Sequence, residues 1–250
     1  MSAGIAVRKC ETLDEFHGCV ALQREIWGEK DLEVEPATCF VLARQTGGQV
    51  LGAFAGPRLV GYTLAVAGIR HGGCYLHSHM TGVHPDYRDR GVGRKLKLFQ
   101  REEALGRRIR LIEWTFDPLE MRNAHFNLNR LGAIARRYVP NLYGITTSPL
   151  HHGLATDRLV AEWHLNSPRV LAALKGEPAN LLPAEWIEVP SQLDRPESDD
   201  GTQIEALQGR IRRQFTDRFA AGFAAVGVVK TAGGRAYQLA PWKESAVDGE

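Results

Sequence analysis

Apolar residues recur along this chain with two periods, and the changes of period mark its elements. IAVRKC (5–10) has the alternation of a short strand. Thr12-Leu-Asp-Glu15 has capping-box spacing, and Phe16, Val20, Ile26 and Trp27 then form one helix face that stops at Gly28. A second helix is expected from Pro36, a favoured first helical residue, to the Gly47-Gly48 stop. QVLGAFA, GPR and LVGYTLAVAG read as two strands around a tight turn, and CYLHSHMTGV (74–83) as a third. Val92, Leu96 and Phe99 give 91–105 a helical period with charges opposite. IRLIEWTFD (109–117) is an apolar run suited to a strand buried on both faces. A short helix over 121–132 ends at Gly132, and strands follow at Ala133–Val139 and over DRLVAEWHL (157–165).

After Ser167-Pro168 the texture changes. SQLDRPESDDG (191–201) reads as a surface loop, and the final KESAVDGE as a frayed end. Between them Ile204, Leu207, Ile211, Phe215, Phe219 and Phe223 mark an amphipathic helix that packs on the body. The layout predicts an α/β fold. A mixed central sheet flanked by helices spans 1–166, and an α+β extension spans 167–250.

The 250 residues are 44% apolar and carry a formal charge of +2, so no global field points to nucleic acid. Cys10, Cys19, Cys39 and Cys74 form no C-x-x-C pair; they read as buried free thiols in a reducing compartment, with no metal site. No basic-then-apolar leader and no membrane-length apolar run is evident. The expectation is a cytoplasmic protein that binds neither membrane nor nucleic acid.

One charge pattern asks for an explanation. Arg88, Arg90, Arg94, Lys95 and Lys97 crowd the start of a helix, where cations are mildly unfavourable. Free N–H groups at a helix start, reached through Gly91 and Gly93, suit a phosphate. Leu96 stands where a dinucleotide fingerprint needs its third glycine, and Gly93 leads into Arg94-Lys95 rather than Lys-Ser/Thr, so neither nucleotide motif fits.

Val83-His-Pro-Asp-Tyr-Arg88-Asp-Arg-Gly-Val-Gly93 resembles the acyl-CoA-binding signature of the GCN5-related N-acetyltransferase (GNAT) superfamily: a strand-ending valine, a nearby proline, then Arg-x-x-Gly-x-Gly opening a helix. The resemblance covers about residues 5 to 165 and implies a GNAT-type sheet. It assigns the CoA pyrophosphate to the loop of Arg88, Asp89, Arg90, Gly91, Val92, Gly93 and Arg94. Thr81 to Val83 would hydrogen-bond the pantetheine arm, with a bulge at Gly82 that parts two strands for the thioester. Acetyl-CoA or another acyl-CoA would be co-substrate, with no metal.

His77 and His79 lie two residues apart, about 6.6 Å along a strand, and leave the same face. Imidazole, with an ordinary pKa of about 6.5, can take the proton of an attacking amine. The arylalkylamine N-acetyltransferases carry a similar pair, which supports a base role for His77 or His79. The other histidines, His84 among them, read as surface or loop residues.

The superfamily's second motif is altered. Leu128 stands at the usual tyrosine and Met121 at the usual asparagine. Asn123, nearby, joins the cofactor-binding set, while Tyr138 or Tyr143 is the candidate proton donor to the leaving thiolate. NAHFN (123–127), NLYG (141–144) and Asp157-Arg-Leu together resemble a bacterial group of predicted acetyltransferases, which implies acyl transfer, succinyl included, to amino acids. The reading is an N-acyltransferase acting on the amine of a small molecule by direct attack. The extension would wall the substrate pocket or pair two copies as a homodimer. A non-catalytic acyl-CoA sensor on the same fold is the alternative.

Overall fold

The computed structural model describes residues 4–28, 34–70, 72–145, 155–177, 183–190 and 201–242. His71, His151, His152, residues 191–200 of the stretch read as a surface loop, and the final eight residues lie outside them. The chain divides into two compact units between Glu113 and Trp114.

The first unit holds β1 (Ile5–Lys9), α1 (Leu13–Trp27), α2 (Ala37–Gln45), β2 (Gln49–Ala55), β3 (Arg58–Arg70), β4 (Gly73–Val83), α3 (Val92–Gly106) and the start of β5 (Leu111–Phe116). β1 to β4 pair in chain order as antiparallel neighbours, and β5 joins β4 in parallel. The α1 cap forms as read: Thr12 Oγ1 accepts from the Glu15 amide, and the Glu15 carboxylate accepts from the Thr12 amide. Gly28, at φ 62°, ends the helix in the left-handed region that glycine adopts freely. Pro36 is not the first helical residue but the extended cap before it, at ψ 159°. Its ring fixes φ, while ψ remains free to hold the cap conformation.

α1 and α2 bury Phe16, Cys19, Leu22, Phe40 and Ala43 against Phe54, Tyr62 and Leu64. α3 buries Val92 and Leu96 against Leu51, Ala53 and Val60. β2 is buried along nearly its whole length, and only a sheet layered by helices needs such an apolar run. The four cysteines are free, as expected, but only Cys10 and Cys19 are buried; Cys39 is half-buried and Cys74 exposed.

The second unit takes the end of β5, α4 (Met121–His125), β6 (Ile134–Val139), β7 (Arg158–His164), α5 (Pro168–Lys175), β8 (Glu185–Pro190), α6 (Gly201–Ala220), β9 (Phe223–Thr231) and β10 (Gly234–Pro241). Its strands run in the order β7-β6-β9-β10-β8. The helix expected over 121–132 is a short α-helix that continues as a π-turn over Phe126–Arg130. The α6 stripe buries Ile211 and Phe215, and the Phe215 ring meets Tyr237 edge-on at 5.0 Å. Phe223 is not part of that stripe. Gly222 (φ 83°) breaks the helix, and Phe223 opens β9. No helix among the described residues is long and apolar enough to cross a membrane.

Candidate active site

The turn from β4 to α3 is built by local geometry. Pro85–Tyr87 make a 3₁₀ turn whose first amide, that of Asp86, donates to His84 Nδ1. His84 is thus a builder of the loop rather than a bystander, and its Nε2 lies 3.2 Å from a Glu25 carboxylate oxygen. Arg88 Nε donates back to the Val83 carbonyl at 3.2 Å, and the Arg90 guanidinium lies 5.5 Å over the Tyr87 ring. Asp89 (φ 60°) and Gly91 (φ 75°) are both left-handed, and they fold the chain tightly into α3. No side chain caps α3, and no acid stands in its first turn.

The two glycines have different reasons. Gly91 is required by its φ. A Cβ on Gly93 would meet only Val83, at 3.9 Å, so packing within the protein does not require glycine there. Its missing side chain leaves the first amides of α3 open to a ligand from outside. Arg88, Asp89 and Arg90 are exposed around this opening, and Arg94 is half-buried.

Lys97 does not belong to that basic cluster. It is 4% exposed and turns toward β4, where its Nζ donates to Ser78 Oγ at 2.9 Å and to Gln100 Oε1 at 3.0 Å. Lys97 stands six positions beyond Gly91, more than one and a half helical turns, and so has rotated onto the core face.

The bulge lies elsewhere than expected. Gly82 pairs in regular register with Tyr62. The register shifts where Leu64↔Met80 gives way to Val66↔His77, so Ser78 and His79 together oppose Ala65. Gly82 is constrained instead by α1: a Cβ there would come within 2.7 Å of Ile26 and 2.8 Å of Trp27. The extra residue sends Ser78 to the α3 side and His79 to the side of α1 and α2. His77 and His79 share that second side, their rings 6.5 Å apart, and Met80 packs with the α1/α2 core.

Two acids complete the histidine neighbourhood. His79 Nε2 lies 3.0 Å from Glu35 Oε1. Burial pushes the Glu35 carboxyl up, but hydrogen bonds from the Cys39 thiol and His79 outweigh it and hold the group below its ordinary range. Glu35 is itself fixed through its backbone, whose amide and carbonyl both bond the buried Gln23 side chain. Glu113 pairs with His77 in the β4–β5 ladder and is gripped by both terminal nitrogens of Arg70, at 2.5 and 2.8 Å. The ladder comprises Leu76↔Ile112 and His77↔Glu113, and β4 runs on past it through Ser78–Val83. Thr81 on this stretch bonds Thr63 across β3 at 3.2 Å. Burial first, then the charges of His79, Lys97 and Arg70, lower the His77 pKa against the opposing pull of Glu113. The arrangement supplies a neutral imidazole above an anchored bulge.

His77, His79, Thr81, Val83 and Arg88 to Arg94 thus gather in the first unit. Tyr138 and Asn123 lie in the second. The Tyr138 hydroxyl donates to Asp157 Oδ2 at 2.6 Å, and Arg212 grips the same carboxylate with two nitrogens at 2.8 Å. Burial and Asp157 raise the Tyr138 pKa well above its ordinary value. Asn123 is exposed on α4. Sequence reasoning missed Glu35, Glu113 and Arg70 altogether. An acid next to an apolar run, and a glutamate inside one, were the signals available.

Comparison with known proteins agrees with this geometry. Residues 11–132 match the model of the Acetyltransferase (GNAT) family. No curated protein matches the sequence. The fold resembles an N-acetyltransferase from Staphylococcus aureus Mu50 (10% identity, TM-score 0.53, 65% of this chain and 99% of that one). It also resembles Arabidopsis thaliana NAA60 in complex with acetyl-CoA (14%, 0.52, 64% and 99%). A third likeness is the ribosomal-protein-S18-alanine N-acetyltransferase of Escherichia coli (14%, 0.50, 65% and 94%). Over residues 11–132, with their strand, open-amide turn and helix, the chain is similar to the GNAT acetyltransferase family.

Proposed function

We propose that the chain transfers an acetyl or larger acyl group from acyl-CoA to an amine. The turn at Arg88–Arg94 holds the CoA diphosphate with the first amides of α3, and Arg88, Arg90 and Arg94 supply counter-charge. The pantetheine arm lies along Thr81–Val83. The acceptor arrives as an ammonium ion, drawn by the ionised Glu35. His77 or His79 takes its proton, the nitrogen attacks the thioester carbonyl, the C–N bond forms and the C–S bond breaks. A backbone amide near Thr81–Val83 holds the developing oxyanion, an effect typically worth about 3 kcal/mol. The thiolate leaves without a dedicated acid, since a thiol pKa of about 8.5 makes it a fair leaving group. Tyr138, its proton engaged by Asp157, serves structure in this reading. The acceptor is read as a small-molecule amine, amino acids included, and the site as cytoplasmic.

The carrying observation is the open Gly93 at the uncapped start of α3. Gly93→Asp tests it. A carboxylate in the first helical turn favours the helix, so thermal stability is kept or raised. The same charge faces the diphosphate, so calorimetric affinity for CoA falls at least about tenfold, which is 1.4 kcal/mol. Undiminished affinity in a folded G93D protein would overturn the assignment. Free-thiol release from acetyl-CoA across a panel of small amines and peptides then identifies the acceptor; binding without turnover on every member would favour the sensor.

A further inference from the structure

The buried triad of Lys97, Ser78 and Gln100 sits on the face of the sheet opposite the histidines. All three side chains are at most 5% exposed. Lys97 Nζ reaches Ser78 Oγ and Gln100 Oε1, while Gln100 Nε2 also donates to Ser78 Oγ at 3.3 Å. Ser78 is one of the two bulge residues, and the other is His79. A lysine is a costly choice for a core position, because burial disfavours its charged form. A bulge, in turn, needs something to fix which residue faces which side.

We infer that Lys97 is a positioning residue for the histidine pair: through Ser78 it pins the bulge that turns His77 and His79 to one face, and its ammonium charge keeps the His77 imidazole in the proton-accepting form. Two observations meet here. The hydrogen bonds fix Ser78 toward α3, which leaves His79 directed at Glu35 on the other side. The charges that face His77 come from every neighbouring element: His79 on β4, Lys97 on α3, Arg70 on β3 and Glu113 on β5. Three of these disfavour imidazolium and one favours it. Burial lowers the Lys97 pKa to about 7, so its charge grows as the solution becomes more acid, where His77 would otherwise start to protonate. The effect on rate rests on His77 being the base; the effect on His77 itself does not.

The test therefore reads His77 directly. The imidazole titration of His77 is followed by NMR in the wild-type chain, in Lys97→Gln and in Lys97→Met, with His77→Gln to assign the signal. Lys97→Gln loses the charge but can still donate to Ser78; Lys97→Met loses both and fits a buried apolar site. Both variants should raise the His77 midpoint. Lys97→Met alone should weaken hydrogen-exchange protection at the Ser78 and His79 amides. An unchanged midpoint in both folded variants, or unaltered protection in Lys97→Met, overturns the inference. If the midpoint rises while the acid limb of kcat/KM for thiol release stays put, the inference stands and the assignment of His77 as base falls.

Discussion

Buried carboxylates in the second unit are matched by guanidinium groups. Glu162 accepts from Arg136 at 2.9 Å and from Arg137 at 3.2 Å, and Asp157 is clamped by Arg212 and capped by Tyr138 and the Asn141 amide. In the first unit Arg70 grips Glu113 in the same way, but beside that pair β4 carries groups of another kind. Lys97 is held by a serine and a glutamine, and the neighbouring bases are imidazoles. The protonation consequences diverge. Burial pushes Glu162 up, but His164, Arg136 and Arg137 pull its pKa down to about 2. Lys97, by contrast, is brought to about 7, and His77 lies below its ordinary value. In the second unit the Glu162 charge stays in place at neutral pH and ties β6 to β7. The first contains groups whose proton affinity is lowered by burial, as the proposed amine acylation needs.

The largest effect should come from removing both imidazoles. His77→Gln with His79→Gln is expected to lower kcat for thiol release about 10²- to 10⁴-fold while CoA affinity is retained. Turnover at the wild-type rate would place the base elsewhere and dissolve the contrast. Next comes Asp157→Asn, which replaces a buried carboxylate by a neutral amide facing the half-exposed Arg212. It should cost about 1–3 kcal/mol in chemical denaturation, with no movement of the pH–rate profile of the folded protein. A moved profile would give the second unit a part in proton transfer.

The pH dependence of stability sharpens the comparison. Glu162 has a depressed folded pKa, so its contribution is present above its ordinary 4.5 and is lost as pH falls toward 2. That loss is on the order of 3 kcal/mol, and Glu162→Gln should abolish it. Lys97 behaves in the opposite sense. Between pH 7 and its ordinary 10.5 the unfolded chain holds a proton that the folded one has released, so stability climbs with pH across that window. Unfolding curves that are flat in both windows would refute the contrast. The smallest effect is expected of Tyr138→Phe, which removes one hydrogen bond to a charged group. It should cost about 1.5 kcal/mol of stability and leave turnover little changed. A large fall in kcat would restore Tyr138 as the proton donor.

Several parts of this picture were readable in advance. The Thr12–Glu15 cap, the strand at 74–83 and the helix after Gly91 are local patterns, and local patterns survive into the fold. The 168–242 region was harder. Only its long helix stood out; α5 and the three strands β8 to β10 were missed. β9 reads FAAVGVVKT, a run of small residues without clear alternation, which becomes a strand because β10 pairs with it. Cys39 and Cys74 looked buried by residue type, yet an exposed or half-buried position costs a thiol little.

Sequence alone determined most element types as far as β7, the glycine-bearing turn before α3 and the spacing of His77 and His79, because each depends on residues within a turn or a strand of one another. Tertiary structure decided what surrounds them. Glu35 lies 44 positions from His79, Arg70 lies 43 from Glu113, and Lys97 lies 19 from Ser78. These pairs meet only once the sheet and its helices have packed. The bulge, too, is a property of two strands in register and not of Gly82 by itself. Side chains that set a proton's affinity act through space at a few ångströms, and distance along the chain carries little information about that.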